Sequence, residues 1–250
     1  MTTYRDEAVI LRVHKLGEAD RIVTMLTRKN GKVRAVAKGV RRTKSRFGAR
    51  LEPGSHVDIQ LYRGRSLDIV TQAEGIRPYG AQVVDDYPRH TTLIAVLEAA
   101  DRLTAEEREP SLRMYLLLIG ALRSLADKQK PPRLVLDAFL VRAMTVAGWA
   151  PTLFECARCA KAGPHRRYSV ESGGTTCIAC AVPRAVTVLE ATPAYIQSLL
   201  SGDWEQAEQA EQRVRREASG VLAAHVQWHL ERGLRSLPMV ERDVQGPVGV

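Results

Sequence analysis

All four cysteines of the 250-residue chain fall in one short window: Cys156-x2-Cys159, a gap of 17 residues, then Cys177-x2-Cys180. No other feature constrains the fold so tightly. Each C-x-x-C turn aims two thiolates at one point, and a gap of this length lets the chain return so that both turns share one ion. That is the spacing of a zinc ribbon. Within the gap, KAGPHRRYSVESGGTT (161–176) holds a Gly-Gly pair and a β-like YSV run, which suit a hairpin. The pattern predicts one structural Zn²⁺ per chain, held by Cys156, Cys159, Cys177 and Cys180, with no open position for catalysis. Disulfides are the alternative, but nothing else in the chain indicates an oxidising compartment. Two redox C-x-x-C pairs at this spacing would be a coincidence. Each second cysteine is followed by alanine (Ala160, Ala181) where glycine is common. His165, inside the gap, reads as a spare, and His225 and His229 read as ordinary residues of one helix face.

The first 80 residues carry strand patterns. AVILRVH (8–14) and RIVTMLT (21–27) are apolar and β-branched. The Asn30-Gly31 pair predicts a two-residue hairpin turn with both residues at positive φ. KVRAVAK (32–38) then alternates, with Val33, Ala35 and Ala37 on one face and Lys32, Arg34, Val36 and Lys38 on the other. HVDIQLY (56–62) and LDIVTQAE (67–74) complete five strands, with one long connection between the third and fourth. This predicts a five-stranded barrel of the OB type; a plain meander or an SH3-like barrel fits the pattern almost as well.

From about Gly80 the apolar period becomes helical. Helices are expected through 93–100, 111–127 and 131–148, the last with proline at its start and glycine at its end. After the cysteines a short helix (TPAYIQSLLSG) and a long one are expected, the long one breaking near Ser219-Gly220. The fold class is therefore α+β: a barrel in 1–80, a helical domain in 81–150 and 185–237, a zinc ribbon inserted at 151–184, and a frayed tail at 238–250.

The net charge of +9 is not spread evenly. Residues 1–80 hold 17 Lys+Arg against 8 Asp+Glu, and the remainder holds 20 against 20. Arg28 to Arg50 alone contains ten basic residues and no acid. A basic domain on a neutral body points to a polyanion partner at one end. The candidate phosphate contacts are Lys32, Arg34, Lys38, Arg41, Arg42, Lys44 and Arg46. Phe47 divides evenly between stacking a base and packing in the core. The barrel region offers only Tyr4, Phe47, Tyr62 and Tyr79 as aromatics, so binding should be electrostatic, sequence-blind and steeply salt-dependent.

Catalytic signatures are missing: no phosphate loop, no G-x-G-x-x-G after a strand, no H-E-x-x-H and no G-x-S-x-G. Together these absences favour a binding protein over an enzyme. The start, MTTYRDEAVILR, has acids where a secretory signal needs an apolar core, and no apolar run is long enough to span a bilayer. A cytoplasmic, nucleoid-associated protein without membrane partners is expected. An RNA-binding or ribosome-associated module is the rival class, since barrel charge does not separate DNA from RNA.

Several of these stretches resemble the RecO family of bacterial DNA-repair proteins. They are the G-E-x-D-x-I run (Gly17, Glu18, Asp20, Ile22), the Gly31-Lys32 hairpin, KGVRRTKSRFGARLEP, the PTLFEC lead-in to the cysteines, and LRSLPMV at 234–240. The resemblance covers essentially the whole chain. It implies a recombination mediator that binds single- and double-stranded DNA, anneals complementary strands and consumes no nucleotide. It also implies action with RecR to help RecA replace single-strand binding protein, whose acidic, apolar C-terminal tail the helical domain would recognise. Arg133 and Arg142, on an apolar helix, are the candidates for that tail. Some members of the family lack the cysteines, so the metal should serve folding.

Overall fold

The computed structural model describes residues 2–42, 45, 47–230 and 233–242. The chain divides into two compact units, Met1–Leu136 with Arg235–Val250, and Asp137–Leu234.

The first unit is built on β1 (Thr3–Leu16), β2 (Asp20–Thr27), β3 (Gly31–Ala37), β4 (Ser55–Tyr62) and β5 (Asp68–Pro78). They form a closed barrel in the order β1-β2-β3-β5-β4, antiparallel except where β5 meets β3 at Ala35↔Asp68 and Val36↔Ile69. This is the OB-type barrel. Closure depends on the length of β1: Ala8 and Val9 pair with β2 on one side and with β4 on the other, and the register shifts between Ile10 and Arg12. Alternate residues Val33, Ala35 and Ala37 point inward beside Ile10, Met25, Ile59 and Leu61, as the period-2 pattern requires.

The β2–β3 turn departs from expectation. Thr27 pairs with Gly31, so the loop is three residues, and Gly31 alone is left-handed (φ 65°). The reason lies outside the hairpin: Asp6 accepts from the Lys29 N–H (3.1 Å) and the Asn30 side-chain amide (2.7 Å), which holds Asn30 in place. The result is the three-residue hairpin with a glycine bulge.

Helices α1 (Tyr79–Gln82), α2 (Tyr87–Leu103) and α3 (Leu112–Ala126) follow. Asp86 caps α2 by accepting from the Arg89 N–H, with Pro88 in the first turn. The expected third helix is α4 (Pro132–Val146), within which the two units meet along the chain.

The second unit contains β6 (Arg167–Ser169), β7 (Gly174–Thr176) and β8 (Val186–Thr187), a small sheet ordered β7-β6-β8. Helices α5 (Thr192–Ser201), α6 (Trp204–Gln209) and α7 (Gln212–His229) complete it. The long helix breaks at Ala210, which is extended (ψ 140°), and not at Ser219-Gly220. Ser219 stays helical because its buried hydroxyl bonds Asp137. Back in the first unit, α8 (Leu237–Arg242) occupies the start of the stretch expected to fray. Leu237 and Val240 are buried, and Glu98 accepts from the Ser236 N–H (2.8 Å) and hydroxyl (2.5 Å). Among the described residues no helix is long and apolar enough to cross a membrane.

Candidate nucleic-acid interface and metal centre

The basic stretch leaves β3 as a tight turn at one end of the barrel. Gly39, left-handed at φ 66°, donates its N–H to Asp20 Oδ1 (2.7 Å). Arg41 donates its backbone N–H to Ala19 O (3.0 Å) and Nη1 to Glu18 O (2.8 Å). The Lys38–Arg42 turn is thereby sewn to the β1–β2 turn. Lys38, Arg41 and Arg42 are exposed, and among the described residues none of the three makes an ion pair. Arg41 spends one donor on a neutral carbonyl and keeps its full charge. Lys15, exposed near the end of β1 and paired in register with Arg21, belongs to the same end of the barrel. Sequence reasoning missed it, because an isolated lysine carries no signal until the register is known. Lys44 and Arg46 lie outside the described residues.

The other predicted contacts are otherwise employed. Lys32 is buried, with Nζ bonding Asp101 O (2.9 Å) and Asp101 Oδ1 (3.3 Å). Asp101 also accepts from Arg12 Nε (2.6 Å). Arg34 pairs with Glu107. Phe47 is 1% exposed in the barrel core and has no face to offer a base. It is buried because a 3-10 turn at Gly48–Leu51 folds back over the barrel and drives Phe47 and Leu51 inward together. The other aromatics add little stacking surface: Tyr79 is buried, and Tyr4 donates its hydroxyl to Asp68 (2.5 Å).

Of the two arginines proposed for a partner tail, Arg133 sits half-buried in the first turn of α4. Arg142 donates Nε to Leu199 O (2.7 Å), and its guanidinium lies 5.0 Å from the Trp204 ring centre. Burial holds its pKa below the usual guanidinium range. Arg142 thus helps to pack α4 against α5 and α6.

The four cysteine sulfurs converge, with all Sγ atoms within 4.8 Å of one another. A tetrahedral Zn²⁺ with ~2.3 Å bonds sets its sulfurs about 3.8 Å apart, and Cys159 and Cys177 are already at 3.9 Å. The first turn closes through Cys156 N to Lys161 O and Ala160 N to Cys156 O, both 2.8 Å, and puts Ala160 at φ 56°. That left-handed position explains why glycine is the common choice there. The turn is held to β7 by the Thr175 hydroxyl, whose one proton is shared between Leu153 O (3.1 Å) and Glu155 O (2.9 Å). Gly174 passes so close to Thr152 that a Cβ would lie 2.2 Å from its carbonyl oxygen. The N–H groups of Cys177, Arg158 and Cys159 aim at Cys156 and pull its thiol down to about 6. Hydrogen bonds with the Cys177 and Cys159 thiols push Cys180 up to about 12. Four thiolates in so small a space repel one another unless a cation sits among them, so the donor set fits a dication.

The ribbon is anchored by a buried residue that the sequence did not single out for this task. His225 Nε2 faces the Trp149 carbonyl (3.2 Å), which can only accept, so Nε2 carries the proton. Nδ1 then accepts from the Tyr168 hydroxyl of β6 (2.7 Å). Burial, aided by nearby His229, lowers the His225 pKa to about 4, keeping the ring neutral. His229 stacks on Trp149 with ring centres 4.9 Å apart.

Two family models divide the chain between them: Recombination protein O N terminal matches residues 1–79, and Recombination protein O C terminal matches residues 84–238. A curated relative, the DNA repair protein RecO of Thermobifida fusca (strain YX), is 54% identical over 242 residues, covering 97% of this chain and 100% of the relative. The strand order of the barrel, the converging cysteines and these matches along nearly the whole length lead to one conclusion: the chain belongs to the RecO family.

Proposed function

We propose that this protein acts in DNA repair as a recombination mediator. It binds single- and double-stranded DNA without reading sequence, anneals complementary strands, and works with RecR to let RecA replace single-strand binding protein. It consumes no nucleotide and catalyses no covalent step. The observation that carries this reading is the Lys38–Arg42 turn, whose exposed cations have no carboxylate partner among the described residues at one end of an OB-type barrel. Lys38, Arg41 and Arg42, continued by Lys44 and Arg46, are the phosphate contacts, with Lys15 beside them. Arg34 is secondary because Glu107 competes for it, and Lys32 and Phe47 contribute to the scaffold.

The physics of annealing follows from this distribution. Complementary strands repel each other through their phosphates, and a positive surface that touches backbone lowers that repulsion. With little aromatic surface available, bases are not sequestered by stacking and their edges remain free to pair. One Zn²⁺ held by Cys156, Cys159, Cys177 and Cys180 stabilises the ribbon and takes no part in a reaction. For the acidic tail of single-strand binding protein, Arg133 is retained as the basic contact on the helical segment.

The test is annealing of complementary single strands, naked and coated with single-strand binding protein, without ATP. Acceleration of both supports the mediator reading. Acceleration of naked strands alone means that the barrel binds DNA while the tail contact fails. Acceleration of neither at low salt moves the chain to the RNA-binding class. Replacing Lys38, Arg41 and Arg42 with alanine should flatten the salt dependence for single strands by about 2 in log–log slope, at ~0.7 per phosphate contact. An unchanged slope would overturn the assignment of the turn.

A further inference from the structure

The segment Thr104–Pro110 between α2 and α3 lies along the barrel edge of β3. Glu107 pairs with Lys32 as a parallel bridge, and Arg108 donates its N–H to Lys32 O (2.8 Å). The approach is close: a Cβ on Gly31 would stand 1.9 Å from the Glu109 carbonyl oxygen, so only glycine fits there. Arg108, left-handed at φ 64°, sends its guanidinium to Asp68 Oδ1 (2.7 Å), a carboxylate with no exposed surface. The one cation of the strap is therefore neutralised by a buried acid. What remains are three carboxylates, Glu106, Glu107 and Glu109, all exposed. Glu107 holds Arg34. Among the described residues Glu106 and Glu109 make no ion pair, so their charge faces solvent beside the Gly31–Arg34 part of β3. At the end of α2, Asp101 holds Lys32 and Arg12 in the same way.

We infer that the Glu106–Glu107–Glu109 strap is a built-in anionic competitor that limits how tightly the barrel holds a DNA strand. The inference rests on the proposed DNA binding at the Lys38–Arg42 turn. A strand leaving that turn along β3 meets carboxylates where it would otherwise find Arg34, and its phosphates must displace or skirt them. Affinity is held down by repulsion that salt screens within roughly 10 Å at 0.1 M. A mediator that must release its annealed product is served by such a limit. The strap is pinned to the barrel by backbone pairing and by Arg108, so its carboxylates cannot drift out of the field.

The experiment measures single-strand affinity against salt for the full chain and for E106Q/E107Q/E109Q. A control, E190Q/E205Q/E211Q, makes the same charge change in the second unit. The strap variant should bind about 3- to 10-fold tighter at low salt and lose that advantage as salt rises. Its slope should steepen by about 0.7 as Arg34 gains a phosphate. E106Q/E109Q, which keeps the Glu107–Arg34 pair, should show part of the gain with the melting temperature of the parent. If strap and control variants bind alike, the strap is structural only and the inference is overturned. Adding K38A/R41A/R42A separates the two readings. Loss of affinity there, with no gain from the strap variant, sinks the strap alone; no loss in any background sinks the DNA assignment beneath it.

Discussion

Replacing Asp68 by alanine should destabilise the barrel by about 2–4 kcal/mol. The carboxylate has no exposed surface and sits where β5 joins β3, the contact that closes the barrel. Three donors converge on it: the Tyr4 hydroxyl (2.5 Å), Arg108 Nη2 (2.7 Å) and the Gly64 N–H (3.0 Å). Stripping a partner from a buried pair costs about 3–5 kcal/mol, but Tyr4 and Arg108 are partly exposed and can turn to water, which reduces the figure. Asp68→Asn keeps the shape, and the Tyr4 hydroxyl can rotate to accept from the new amide, so its cost should be nearer 1–2 kcal/mol. Burial pushes the Asp68 pKa up, but the bonds from Tyr4, Arg108 and Gly64 outweigh it and leave it below the ordinary value. A depressed carboxyl contributes its stability above the unfolded value of about 3.9 and loses it as pH falls through the folded value. The gap between parent and Asn variant should therefore narrow below about pH 4. All three tryptophans (149, 204, 228) lie in the second unit, so fluorescence follows that unit and far-UV circular dichroism is needed for the barrel. Urea melts by both probes should show the dichroism transition moving alone. A D68A variant within 0.5 kcal/mol of the parent, or an Asn deficit that is the same at pH 7 and pH 3, would refute the account.

Phe47→Ala should cost about 3–5 kcal/mol as a core truncation, while Phe47→Leu should keep DNA affinity and its salt slope; a selective loss of affinity in the leucine variant would restore the stacking role. His225, with its pKa lowered to about 4, is neutral when folded, so the second unit is most stable above the unfolded value. Tryptophan-monitored stability should fall as pH drops from about 6.5 to 4, by up to ~3 kcal/mol. H225N should remove that part of the slope, and a variant as acid-sensitive as the parent would contradict it. Metal analysis of reduced protein should give about one equivalent of zinc, and Cys177→Ser should lower both zinc content and ribbon stability; less than half an equivalent in the parent counts against the site.

What could be read from the chain was what is decided locally. The cysteine turns were legible because their geometry is set within four residues, and the strands because alternation on a half-buried surface leaves a period of two. What failed to show depends on partners far along the chain. The Asn30-Gly31 turn reads as two residues until Asp6 binds it from 24 positions away. Lys32 reads as a phosphate contact until Asp101, 69 positions on, takes its ammonium. The break at Ala210 has no glycine or proline to announce it, whereas Ser219-Gly220 does look like a break and is overridden by a buried bond to Asp137.

The charge count treats the ten bases from Arg28 to Arg50 as equivalent, and the fold separates paired from unpaired ones among the described residues, with different observables. Arg28 pairs with Glu7, Lys32 with Asp101 and Arg34 with Glu107, so much of the positive field along the strands is cancelled where it arises. That cancellation lowers the self-repulsion of a small basic barrel and leaves Lys38, Arg41 and Arg42 as a group of exposed cations without an ion pair among the described residues. Removing a buried, paired cation such as Lys32 should therefore lower stability and leave the salt slope of DNA binding intact. Removing an unpaired one such as Arg42 should do the reverse. Residues of identical formal charge and neighbouring position then fall on opposite axes of one plot, melting temperature against salt slope. Lys32 and Arg42 falling together on it would mean that the ion pairs are not what divides them.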